Sequence, residues 1–252
     1  MGEKKTRTAL LVARHPRCTY CGGSAPTTSR DHCPPTSLFD ASHRPAGLEF
    51  GACTECHEGT REIDQFIAMF SRLNPTDADD TRREELIKHT RSFTERYPEL
   101  ARKIFKPGVP ILQEGRKRYL VAMDRDPRVD RIFSAFAARF SLALYRNYRG
   151  APAPLDAKIQ TNWLTNYDLD SDPTLDGFLE KLGGLYSLHQ GKWHVADQFR
   201  FWAAGAQDDP SAFICFAGIR ETFGFTAVLS TSTVLLDNED TFSPGFLKGF
   251  RI

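Results

Sequence analysis

The stretch CTYCGGSAPTTSRDHCPPTSLF, residues 18–39, decides how the chain is read. Cys18 and Cys21 form a Cys-x-x-Cys turn, which presents two thiols to one point. A second turn of the same kind stands at Cys53 and Cys56, with His57 directly after it. Two such turns complete a tetrahedron around Zn²⁺ at about 2.3 Å per Zn–S bond. The interval from Cys21 to Cys53 is wider than in a compact zinc ribbon, so the loop between them must hold structure of its own. An all-thiolate site is closed and structural: it staples a segment that cannot bury much apolar area.

The rest of the composition fits this reading. The chain has 252 residues, 40% apolar and 26% charged, an ordinary balance for a globular protein with a sizeable core. The net charge is +1, so no overall field advertises a nucleic-acid partner, and a local basic surface would have to supply that attraction. No apolar run approaches a membrane span and no signal peptide is visible, which leads us to expect a cytoplasmic protein. Six cysteines, four of them in two pairs, are not spread like a disulfide framework. Cys33 and Cys215 are left over. Cys215, within AFICFAG, reads as a core residue.

Working outward, residues 1–16 read as a basic arm with at most one ordered turn. Residues 17–73 are the zinc-knuckle module, ending in a helix from near Cys53 to Leu73, where Ile63, Phe66, Ile67 and Phe70 recur at helical spacing and Asn74-Pro75 stops the run. Residues 74–150 are helical in pieces: one helix over DADDTRREELIKHTRSF, one over PELARKIF, one over 111–123, and the clearest over 127–149. In the last, Ile132, Phe133, Phe136, Phe140 and Leu144 form an apolar stripe with Arg139 and Arg146 along its edge. Gly150 caps that helix. Residues 151–252 are β-rich: KIQTNWL, KWHVADQFRFWAA, SAFICFAGI and FGFTAVLS predict a small antiparallel sheet, with one helix near 174–182. The aromatics of this part read as core. The expected fold class is α+β, in the order zinc module, helical middle, β-rich end.

Between the knuckles lie Arg30, Asp31, His32, Cys33, Pro34 and Pro35, followed by Ser37, Leu38 and Phe39. With Cys18, Cys21, Gly22, Cys53, Cys56 and His57, these residues resemble the HNH endonucleases with a zinc-knuckle, treble-clef ββα-metal core. The resemblance covers about residues 17–70 and is silent elsewhere. It implies that His32 is the general base for water attacking a phosphodiester, a task that suits an imidazole near neutral pH. It implies that Asp31 and His57 hold one divalent cation, such as Mg²⁺ or Mn²⁺, that stabilises charge developing on the phosphate. The strand carrying Asp31 and His32 must then lie against the first turn of the following helix. Asp64, on the His57 face of that helix, is a candidate to support the site from behind.

The match departs from the family at one motif position. The Asn often found shortly before the second knuckle is missing, and Leu48, Glu49 and Phe50 occupy that stretch. Cys33 either packs or adds a metal ligand. Arg30 and Arg61 are candidate contacts to substrate phosphate, with Lys4, Lys5 and Arg7 of the arm as further cations. Two readings follow. One is a metal-dependent nuclease acting on nucleic acid, preferably DNA, whose residues 74–252 recognise a target, a protein partner or another copy of the chain. The other is a treble-clef zinc module that binds nucleic acid or protein and cuts nothing.

Overall fold

A computed structural model describes residues 3–40, 45, 47–73, 80–105, 111–114, 117–120, 126–171, 185–190, 193–232 and 241–251. The order of elements is helix α1 (Glu3–Arg14), strands β1 (Ser29–His32) and β2 (Glu49–Ala52), and helices α2 (Thr54–Phe70), α3 (Asp80–Arg96) and α4 (Pro98–Ile104). Strands β3 (Ile111–Glu114) and β4 (Lys117–Leu120), helix α5 (Pro127–Arg149), strand β5 (Lys158–Thr165) and helix α6 (Asn166–Ser171) follow. The end of the chain holds β6 (Tyr186–Ser187), β7 (His189–Gln190), β8 (Trp193–His194), β9 (Phe199–Gly205), β10 (Phe213–Ile219) and β11 (Phe223–Ser230). The protein is α+β, with the knuckles first, helices in the middle and the main sheet last.

The main sheet has five antiparallel strands in the order β5-β11-β10-β9-β6. Its apolar face packs on α5. That helix is apolar over most of its girth, starts on Asp126, whose carboxylate accepts from Arg128 N at 2.9 Å, and ends at Gly150 with φ 74°. Only glycine adopts that left-handed cap without strain. Phe133 of α5 meets Phe66 and Phe70 of α2 on one side and Phe223 of the sheet on the other, at centroid distances of 4.8 to 5.4 Å. Phe140 meets Phe199 and Phe225 in the same edge-to-face manner. The aromatics of the β-rich end thus serve the core, as read from the sequence: Phe199, Phe213, Phe216, Phe223 and Phe225 are buried. Cys215 is buried among them, and burial pushes its thiol up to about 12.

One continuous core runs from Cys18 to Phe250 through all three regions of the sequence. Polar ties reinforce it. Asp40, at the end of the module, accepts from Arg220 of the β10–β11 turn at 2.7 Å and from Arg82 of α3 at 3.0 Å. The C-terminal segment returns to the module: Gly245 N donates to Tyr20 O at 2.8 Å, and Leu247 O sits against Gly59 of α2. A Cβ on Gly59 would lie 1.9 Å from that carbonyl, so only glycine permits the approach.

Two expectations are corrected. Residues 1–16 are not an arm with one turn; α1 runs twelve residues, because EKKTRTALLVAR holds no breaker until His15-Pro16. Residues 111–123 are not a helix. Strands β3 and β4 pair antiparallel there, with Ile111 opposite Leu120 and Glu114 opposite Lys117. The helix expected near 174–182 lies outside the described residues.

Candidate functional site

The two knuckles converge. The Sγ atoms of Cys18, Cys21, Cys53 and Cys56 lie within 4.8 Å of one another, all four residues buried, and could hold a metal ion such as zinc. A tetrahedron with Zn–S bonds of about 2.3 Å has edges of about 3.8 Å, so the thiols need to close only slightly on an ion. Hydrogen bonding between Cys56 and Cys18 lowers the Cys18 thiol and raises that of Cys56, so the sulfurs titrate as one tightly interacting group. Cys33 is buried outside this group, and desolvation pushes its thiol up; it packs.

Strands β1 and β2 form an antiparallel ribbon in the register Asp31↔Phe50 and His32↔Glu49. Cys53 precedes the first residue of α2, so the second knuckle fixes where the helix leaves the ribbon. His57 then falls in the first turn of α2. Its Nδ1 stands 4.0 Å from Asp31 Oδ1. Two ligands on one ion with bonds of about 2.1 Å stand about 3.0 to 4.2 Å apart, so the pair is spaced for shared coordination. His57 Nδ1 is also buried without a hydrogen-bond partner, although the side chain as a whole is 42% exposed. An orphaned ring nitrogen facing a carboxylate fits a cation between them.

Asp31 is the most tightly held group of the site. It is 4% exposed and accepts from Tyr20 Oη at 2.5 Å. Arg139 Nη2 donates to both of its oxygens, at 2.9 and 2.8 Å, and to His32 O at 3.0 Å. Arg139 Nη1 donates to Asp64. Arg139 itself is 0% exposed. Desolvation raises the Tyr20 hydroxyl far above its ordinary value, which keeps it protonated as a donor. Burial, reinforced by Asp31 and opposed by Arg139, pushes Asp64 up to about 7. One guanidinium cannot neutralise two carboxylates in one desolvated space, which is why the upward direction holds.

His32 does not share this enclosure. Alternation along β1 turns Asp31 inward to α2 and α5 and turns Arg30 and His32 to the opposite face. There His32 Nδ1 lies 3.8 Å from Glu49 Oε1, and Arg30 Nη1 lies 3.3 Å from both Glu49 oxygens. Burial lowers the His32 pKa, and Glu49 opposes this, so the imidazole is neutral and proton-accepting at pH 7. Glu49, in the stretch before the second knuckle, accepts from Arg30 and lies near the His32 ring. Arg61 is exposed one turn beyond His57 on the same helix face. The side chains of Lys4 and Lys5 lie outside the described residues; Arg7 is exposed.

Sequence reasoning brought together the four cysteines, Asp31 and His57, and it placed Asp64 near them. It missed Tyr20 and the central part of Arg139. The signals were faint: a tyrosine inside the first knuckle, and one cation on the edge of the apolar stripe of α5. No known protein family, curated protein or solved structure matches the chain, so the likeness to HNH nucleases rests on the motif residues alone. No helix among the described residues is long and apolar enough to cross a membrane.

Proposed function

We propose that the chain is a metal-dependent nuclease of the HNH type, stapled by a structural zinc and hydrolysing phosphodiester bonds in nucleic acid, with DNA as the preferred substrate. One observation carries the reading: Asp31 Oδ1 and the partnerless His57 Nδ1 face each other at 4.0 Å. A divalent cation held by Asp31 and His57 would stabilise negative charge on a phosphate. His32 would take the proton of the attacking water, with Glu49 holding its ring. Arg30 and Arg61 would bind phosphate oxygens. Four closely spaced free cysteines fit a reducing, cytoplasmic setting.

A second reading has its own support. Arg139 and Tyr20 already occupy three acceptor positions on Asp31, as expected of a module that kept its zinc and lost cleavage. Plasmid nicking with added Mg²⁺ or Mn²⁺ separates the two. Wild type should nick the plasmid, and His32→Ala should lose the activity. Cleavage that persists unchanged in His32→Ala refutes this site, and no cleavage of DNA or RNA with any metal favours the binding module. Elemental analysis should find one tightly held zinc per chain.

A further inference from the structure

A cleft of about 380 Å³ opens between the first knuckle and the end of α5, lined by Arg17, Gly22, Gly23, Arg146 and Pro152 among others. Arg146 is its unusual member. The residue is 8% exposed, and burial lowers its pKa. Arg72, Arg139 and Arg220 each face a carboxylate: Glu85, Asp31 and Asp40. Among the described residues Arg146 has none. Its side-chain partner is His15, whose Nδ1 accepts from Nη2 at 2.8 Å, while Nε has no partner. Burial and the neighbouring Arg146 lower the His15 pKa, so the imidazole is a neutral acceptor. A desolvated guanidinium is sustained by an anion, and the described residues supply none. Arg17, exposed on the same cleft, adds a second cation.

The cleft lies toward the His32 side of the β1–β2 ribbon. Gly51 stands opposite Arg30, on the face that carries His32 and Glu49. A Cβ on Gly51 would meet Thr27 Oγ1 at 2.5 Å and His15 O at 3.0 Å, so His15 covers that same face. Glu49 and Gly51 are about 7 Å apart along the strand. Arg146 follows through its bond to His15. The phosphates of one nucleic-acid strand recur about every 3.4 Å along its axis, so a strand at His32 reaches the cleft within a few nucleotides.

We propose that the Arg17–Arg146 cleft is a phosphate site that takes a backbone phosphate of the nucleic acid bound across the His32 face. The identity of that phosphate rests on the nuclease reading; the anion chemistry does not. The test is binding of a short fluorescent DNA duplex to the zinc-loaded protein without added divalent cation, followed by anisotropy over a salt series. Arg17→Ala, at an exposed position, and Arg146→Gln should each reduce the salt slope by about 0.9, a loss of about eightfold in affinity at 0.1 M salt. Duplex binding with unchanged slope in Arg17→Ala overturns the proposal and leaves the nuclease reading standing. A reduced slope in a protein that cuts nothing supports the cleft and sinks the nuclease. If no duplex binds, inorganic phosphate is titrated with ³¹P line broadening as the readout. Broadening lost in Arg17→Ala overturns the backbone assignment and identifies a free-phosphate site, and no broadening overturns the cleft altogether.

Discussion

Replacing Arg139 by Met tests whether the buried charge cluster behind the ribbon is a structural necessity. Methionine keeps most of the apolar stem and removes the guanidinium, so packing along α5 changes little. Asp31, 4% exposed, then keeps only Tyr20, and Asp64, 22% exposed, loses its cation. Removing one partner of a buried pair costs about 3–5 kcal/mol, because the remaining charge stays desolvated. Discounting the partly exposed Asp64 places Arg139→Met near 4 kcal/mol, against a total stability of about 5–15 kcal/mol. For a chain of this size that is a fall of about 8–16 °C in melting temperature.

Urea unfolding of zinc-loaded protein at pH 7 measures the cost directly. Two further variants separate charge from shape. Arg139→Met combined with Asp31→Asn and Asp64→Asn leaves no unpaired charge and should recover most of the loss. Arg139→Lys should recover only part, since one ammonium cannot reach Asp31, Asp64 and His32 O together as the guanidinium fork does. The pH dependence has a definite sign. Asp64, stranded without the Arg139 cation that lowers its pKa, binds a proton still more readily in the folded state. The deficit of Arg139→Met therefore shrinks as pH falls from 8 toward 6. A loss below about 1 kcal/mol, or no recovery in the triple variant, would refute the reasoning.

Other outcomes follow from the same geometry. Gly59→Ala should destabilise by about 1–3 kcal/mol on thermal melting, because the approach of Leu247 O outweighs the helix propensity gained. Cys53→Ser should lose the zinc measured by elemental analysis and increase proteolytic cleavage within 18–73, since the second knuckle anchors both the ion and the start of α2. In wild type, burial raises the folded pKa of Asp64 to about 7, above the ordinary carboxylate value. Its contribution to stability is full at low pH and lost as pH rises through 7, so Asp64→Asn should flatten the stability profile between about pH 4 and pH 7. The lowered pKa of His32 places the acid limb of any cleavage profile below pH 6.5, and a limb above that value would assign the base elsewhere.

Local chemistry made much of this legible in the sequence. The Cys-x-x-Cys turns have a fixed geometry, and the helix after Cys53 announces itself through Ile63, Phe66, Ile67 and Phe70, all buried. Helix α5 was visible because its apolar stripe and its Gly150 stop agree, and the Asp126 cap that starts it is seen in the fold. Strands β5, β9, β10 and β11 of the main sheet were legible from their aromatic and β-branched runs, whereas the two-residue edge strand β6 was not. What escaped was long-range pairing. Arg139 is 108 residues from Asp31, and only the folded chain brings them together. The pairing of β3 with β4 escaped because Ile111, Leu112, Tyr119 and Leu120 suit either period. Helix α1 escaped because basic residues at a chain start read as an arm.

The cluster around Arg139 also bears on whether Asp31 can serve a cation at all. An arginine paired with one aspartate would leave a neutral pair with little attraction for Mg²⁺. Here Arg139 faces two carboxylates, so the cluster of Asp31, Asp64 and Arg139 carries a net charge of one negative when both acids are ionised. Asp64 thereby absorbs the charge of Arg139 and returns that of Asp31 to the His57 side. Geometry agrees: Oδ2 accepts from Tyr20 and Arg139, whereas Oδ1 accepts from Arg139 alone and is the oxygen 4.0 Å from His57 Nδ1. A carboxylate oxygen offers two lone pairs, so one on Oδ1 is left for a metal. Asp64→Asn should then weaken Mn²⁺ binding, followed by water proton relaxation, while the tightly held zinc stays at one per chain. If Mn²⁺ binds Asp64→Asn as tightly as wild type, Asp64 does not govern the charge of the site; if neither protein binds Mn²⁺, Arg139 has closed Asp31 to cations.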